Sequence, residues 1–108
     1  MSLMPPKALR PADLVRRERS RIVAFLTERG ARDVRVFGSV ARGEDDDRSD
    51  IDLLVDLDGD LSPGSELLEV LGLSEELSEL LHARVDVVTP RTLRPEVREL
   101  ALTEAVPL

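Results

Sequence analysis

The segment Ile51–Leu57, IDLLVDL, has the apolar density of a buried strand, yet it carries Asp52 and Asp56 and follows directly on Asp50. Ionised side chains do not pack against an apolar core without a partner, so this segment constrains the fold more than any other. Alternation along a strand puts Asp50, Asp52, Leu54 and Asp56 on one face, and Ile51, Leu53 and Val55 on the other. The second set predicts the core contact. The first predicts a face that is either open to water or occupied by something positive. Asp50 and Asp52 stand two strand rises apart, about 6.5–7 Å between Cα atoms. Carboxylates that close raise one another's pKa unless a cation lies between them, and oxygen ligands of this kind suit Mg2+ or Mn2+.

The remaining chain supplies the other elements. Leu14, Val15, Ile22, Val23 and Leu26 recur at helical spacing and predict one helix from about Ala12 to Arg29, with Asp13 in its first turn and Gly30 past its end. A strand is expected at Val34–Phe37, then a turn or short helix opening at Gly38-Ser39, then a polar loop over RGEDDDRS. A helix is expected from Ser65 or Glu66 to His82, with a kink or break at Gly72. A third strand over 83–89 and a last helix from Glu96 to about Glu104, behind Pro95, complete the order. Helix, strand, strand, helix, strand, helix in 108 residues predicts one α/β (α+β) domain, a mixed sheet of three to four strands backed by helices on one side. The domain is expected over 12–108, behind a flexible leader at 1–11 in which the second methionine, Met4, marks Met1–Leu3 as an expression leader.

Charge narrows the partners. With 15 basic against 22 acidic residues the net charge is −7, so gripping a nucleic-acid backbone is not its main work, and no direct DNA binding is expected. A nucleotide met through cations is compatible with that sign. The absence of cysteine removes disulfides and thiolate metal sites and fits a reducing, cytoplasmic setting. No apolar run approaches the roughly 20 residues of a membrane span, and the start lacks a signal-peptide core. Phe25 and Phe37 are the only aromatics, so the core must be aliphatic.

Two further features bear on the acidic strand. At Gly38-Ser39 a strand gives way to a turn, where exposed N–H groups and the Ser39 hydroxyl make an anion site that Gly38 lets a ligand approach. Asp86, flanked by Val85, Val87 and Val88, is another carboxylate set into an apolar strand. If its strand lies beside the second, three carboxylates can hold two ions about 3.5–4 Å apart. Asp56 is expected to be solvated near the strand end. Glu44, Asp45, Asp46 and Asp47 are expected to form a solvated loop, since four acids beside a phosphate would repel it. His82 suits a helix C-terminus. Arg16, Arg17, Arg19 and Arg21 read as a solvated helix face, or alternatively as part of a partner surface. Leu67, Leu68, Leu71, Leu77, Leu80 and Leu81 exceed one helix stripe, leaving some for a dimer or partner interface.

Gly38-Ser39, ten intervening residues, Asp50-x-Asp52 within a strand and a later in-strand Asp86 form a specific arrangement. At these residues the chain resembles the nucleotidyltransferase superfamily of the polymerase β type, whose signature is G-S-x10-D-x-D. The closer resemblance is to the minimal nucleotidyltransferases, or MNT-domain proteins, through GSVARGE, SDIDLLVD, RVDVVTP and the closing LTEAVPL. It runs from about Ala12 onward. The resemblance implies metal-dependent transfer of AMP from ATP to a hydroxyl with release of pyrophosphate, using two Mg2+ ions, with Mn2+ as an alternative. It implies that Asp50 and Asp52 bind both metals, that Asp86 binds the catalytic metal and helps deprotonate the acceptor, and that Gly38 and Ser39 hold the triphosphate. Arg42 is a candidate phosphate contact. The implied partner is a HEPN-domain ribonuclease toxin, modified on a tyrosine by this chain as the antitoxin of a type VII toxin–antitoxin pair. The chain has no tyrosine, so that acceptor would lie on another molecule. Two alternatives stand beside this one: a small-molecule nucleotidyltransferase of the aminoglycoside-modifying type, and an antitoxin that caps its partner without catalysis. The three intact aspartates lean against the last. A homo-oligomer is compatible with all three.

Overall fold

The computed structural model describes residues 9–108. Strands β1 (Ala31–Phe37), β2 (Ile51–Leu57), β3 (Val85–Val88) and β4 (Val106–Pro107) form one mixed sheet in the order β3-β2-β1-β4. β1 runs antiparallel to both β2 and β4, with Phe37 opposite Asp52, while β2 and β3 are parallel with Asp52 beside Asp86. The acidic segment is therefore an inner strand.

Ile51, Leu53 and Val55 are fully buried, as their alternation predicts. They pack with Val15 of α1 (Pro11–Arg17), Ile22 and Leu26 of α2 (Arg19–Glu28), and Leu73, Leu77 and Leu81 of α4 (Pro63–Leu81). The opposite face is not left to solvent, contrary to the one-sided arrangement expected. Phe37, Leu54 and Val88 form a second cluster under Ala101 of α5 (Pro95–Glu104). Both faces are covered because Leu54 and Val88 put apolar surface on the acidic side as well, and that surface is buried more favourably than it is wetted.

Several boundaries differ from the periodic reading. The first helix breaks at Glu18 into α1 and α2. The apolar pattern could not reveal this, since Val15 and Ile22, seven apart, share a face with or without the break. α4 passes through Gly72 without interruption and starts at Pro63, where Ser62 Oγ accepts the Ser65 N–H at 3.2 Å. β1 begins at Ala31 and carries a bulge between Arg32 and Arg35, where Asp33 takes φ 54°. The outer edge of β3 is closed by α4. Ser74 Oγ accepts the Val87 N–H at 2.8 Å and Ser78 Oγ accepts the Val85 N–H at 3.0 Å, so two serines one turn apart do the work of a neighbouring strand. No described helix is long and apolar enough to cross a membrane.

The acidic loop needs a correction. Glu44, Asp46 and Asp47 are exposed as expected, but the Asp45 side chain is only 1% exposed. Its carboxylate accepts the Ala12 N–H at 3.0 Å and pairs with Arg10 at 3.2 Å, supplying α1 with the N-terminal acceptor that Arg10 cannot offer. Arg10 and Pro11 are thereby part of the folded domain; the rest of the expected leader, residues 1–8, lies outside the described residues. Replacing Asp45 with Ala should lower stability in urea unfolding by about 1–3 kcal/mol, since it strands a helix-end N–H and an arginine. Asp47→Ala, in the same loop but exposed, should change it by less than about 0.5 kcal/mol.

Candidate active site

The antiparallel register of β1 and β2 sets the end of β1 against the start of β2. Beyond Phe37 the chain turns into the short helix α3 (Gly38–Arg42), closed by Gly43 in the left-handed region. Gly38 is buried at φ +74°, and a Cβ placed there would collide with Asp52 Oδ2. Both the dihedral and the space demand glycine. The turn expected to meet phosphate thus lies directly on the carboxylate expected to meet metal, and Ser39 beside it is partly open.

Asp52 is partly buried, and its pKa is pushed up to about 6. Burial is the largest cause, followed by the negative charges of Asp86 and Asp50, against which Arg42 acts in the lowering direction. Asp86, on the edge strand, is more exposed, yet its pKa is also raised, by desolvation first and then by Asp50. The three aspartates therefore feel one another, although Asp50 turns outward to pair with Arg84 Nε at 2.9 Å. Among the described residues no group of three His, Asp or Glu side chains is drawn together closely enough to hold a metal ion. The donor set nevertheless suits a divalent cation: all-oxygen ligands, one of them desolvated, repelling one another where a positive charge would relieve them. Two of the three, Asp52 and Asp86, stand side by side across β2 and β3; the third, Asp50, would have to give up Arg84 to join an ion there.

At the Gly38-Ser39 turn a residue that the sequence reading gave no role intervenes. The Gly38 N–H donates to Glu104 Oε1 at 2.9 Å, and Arg42 Nη1 reaches both oxygens of the same carboxylate at 3.1 Å. Arg42 Nε also donates to Glu44 at 2.7 Å, and these two carboxylates raise the arginine's pKa. Arg42 thus pairs with two carboxylates of the protein through Nε and Nη1. Glu104 lies 66 residues from Gly38 in sequence and no local spacing connects them. Asp56 stays outside this group, 3.8 Å from Arg35, and His82 is an exposed left-handed C-cap at φ 52°. Asp50 and Asp86 are exposed, and Asp52 is half-buried. The cavity of about 390 Å³ between α1 and β4 is lined by Val15, Arg16, Val36, Val40 and Val106 among others, and by none of them.

Two substitutions probe this arrangement. A carboxyl with a raised folded pKa stabilises the fold fully below its unfolded value and loses that contribution as pH rises through its folded value, here between about pH 4 and pH 6. In chelator, Asp52→Asn should therefore be more stable than the wild type at pH 8 by about 1–2 kcal/mol once solvent screening is allowed for, with the difference closing below pH 4. Urea unfolding at the two pH values measures it. Gly38→Ala should lose at least about 1 kcal/mol to the left-handed backbone alone, and should displace the Asp52 carboxylate.

With the geometry in hand, the chain can be compared with known proteins. Residues 18–108 match the family model described as a nucleotidyltransferase domain. The protein adenylyltransferase MntA of Thermococcus cleftensis is 42% identical over 77 residues, covering 71% of this chain and 74% of that one. A solved structure provisionally named a minimal nucleotidyltransferase is 40% identical, with a TM-score of 0.72 and complete coverage of both chains. More distantly, at 19% identity, the fold is shared with a structure of the tri-AMPylated Shewanella oneidensis HEPN toxin in complex with its MNT antitoxin, at TM-score 0.63 over 85% of this chain and 69% of that one. The Gly-Ser turn, the in-strand aspartates and the mixed sheet that joins them thus coincide with a match over most of the chain, and the protein belongs to the nucleotidyltransferase domain family.

Proposed function

We propose that this chain transfers AMP from ATP to a tyrosine hydroxyl of a HEPN-type ribonuclease toxin in the cytoplasm, and is the antitoxin of that pair. The observation that carries the reading is the meeting of residues from β2, β3 and the start of α3. Asp52 lies beside Asp86 and directly under the Gly38-Ser39 turn. Similarity to a protein adenylyltransferase supports AMP as the transferred group, and the absence of tyrosine from this chain requires an acceptor elsewhere.

In this reading Asp50, Asp52 and Asp86 would hold two divalent cations, Mg2+ or Mn2+. Bound there, the ions would offset the triphosphate's charge and that of the departing pyrophosphate. The Ser39 hydroxyl and the N–H groups of its turn bind the terminal phosphates. Asp86, exposed beside Asp52 on the neighbouring strand, takes the proton from the acceptor hydroxyl. That oxygen bonds to the α-phosphorus as the bond to the bridging oxygen breaks, and pyrophosphate leaves. Asp50 and Asp86 are exposed, which suits a large acceptor that brings its own walls better than an aminoglycoside-type small molecule, which needs an enclosing pocket.

The chain, a HEPN partner and Mg-ATP, examined by intact-mass spectrometry, test the proposal. The partner should gain AMP on tyrosine, and Asp50→Ala/Asp52→Ala should lower the rate at least about a hundredfold. Neutralisation of the toxin by the double variant with no added mass would replace this reading with stoichiometric capping.

A further inference from the structure

Glu104 sits where a ligand would be sought. It is the last residue of α5, and its side chain is 16% exposed. Its neighbours on both sides are anchored: Ala101 packs with Phe37 and Leu54, and Val106 pairs with Val36 of β1. The carboxylate is therefore held in place before any substrate arrives. It spans both ends of α3, accepting the Gly38 N–H at the start and Arg42 at the finish. Phe37, which precedes α3, offers no side-chain cap, so Glu104 supplies the missing acceptor from another helix.

We propose that Glu104 is a positioning residue for the phosphate-binding turn, and that Arg42 is its counter-ion rather than a phosphate contact. This rests on reading Gly38-Ser39 as the triphosphate site. Fixing the Gly38 N–H orients the following peptide and leaves the Ser39 N–H and hydroxyl to the ligand. A bare carboxylate so near a triphosphate would repel it, and Arg42 removes that repulsion. Drawing Arg42 away to a phosphate would leave the mostly buried Glu104 carboxylate with the Gly38 N–H but without its counter-ion, which disfavours that exchange. The two residues should therefore act as one unit.

A double-mutant cycle distinguishes this from direct phosphate contact. Wild type, Glu104→Gln, Arg42→Met and the double variant are titrated by calorimetry with Mg-ATP and with magnesium tripolyphosphate, well below their unfolding temperatures. Gly38 amide exchange is followed by NMR on the same samples. Each single variant should weaken both ligands about tenfold, and the double should be no weaker than the worse single. Gly38 exchange should accelerate, and Arg42→Lys, which keeps the charge but loses the two-oxygen grip, should fall between wild type and Arg42→Met. Wild-type or tighter binding by Glu104→Gln with weakened Arg42→Met would overturn the proposal and make Arg42 the phosphate contact. Additive losses, or lowered stability with unchanged affinities, would overturn it too. Should Glu104→Gln fail to fold, Arg42→Met carries the test: weak binding with faster Gly38 exchange supports the clasp, and weak binding with unchanged exchange refutes it. A wild type that binds neither ligand is a different failure, since it removes the phosphate-turn reading itself and this proposal with it.

Discussion

The contact between the Gly38 backbone and the Asp52 carboxylate is the constraint on which the site depends. Phe37 and Asp52 face one another in the antiparallel register of β1 and β2, so the chain leaving β1 must turn across that side chain. A Cβ there would have to push the Asp52 carboxylate aside, and the turn needs a positive φ. One residue type meets both conditions. The same register that closes the sheet also sets the turn's polar atoms beside a carboxylate, so fold and site share one geometric condition.

The carboxylates then shape what surrounds them. Asp52 is crowded by Asp86 and Asp50 and partly desolvated, an unfavourable state that the fold holds because Ile51, Leu53 and Val55 are locked into the core on the strand's other face. Basic groups gather at the margin: Arg84 on Asp50, and Arg42 between Glu44 and Glu104. Two arginines thus stand at the edge of the place where the acidic side chains are concentrated. α5 covers the acidic face of the sheet only at Phe37, Leu54 and Val88, and the carboxylates remain accessible beside it.

Much of this was legible before the structure. Period-2 alternation at 51–57 identified the strand to the residue and its buried face correctly, because alternation depends only on pleat geometry. The pairing of β2 with β3, on which Asp86 depended, was only a condition at the level of sequence, and the parallel register of the two strands supplies it. What failed did so for long-range reasons. Asp45 reads as one acid among four, and only its contact with Arg10 and Ala12, more than thirty residues away, makes it structural. Glu104 belongs to an ordinary amphipathic helix until α5 docks. The break at Glu18 leaves the apolar pattern intact, and the serines closing the β3 edge look like surface residues of α4.

By itself the sequence determined which residue types stand at which spacing: a glycine where a strand gives way to a turn, oxygens two apart on a strand, and apolar residues on its reverse. Those properties are local, set by dihedral preference and side-chain alternation. Only the tertiary structure decided how the charges are shared, with Asp52 beside Asp86, Asp50 held by Arg84, and Arg42 held by Glu104. Electrostatic partners are chosen by distance in space, and chain order does not encode that distance until the sheet and α5 have brought remote segments together.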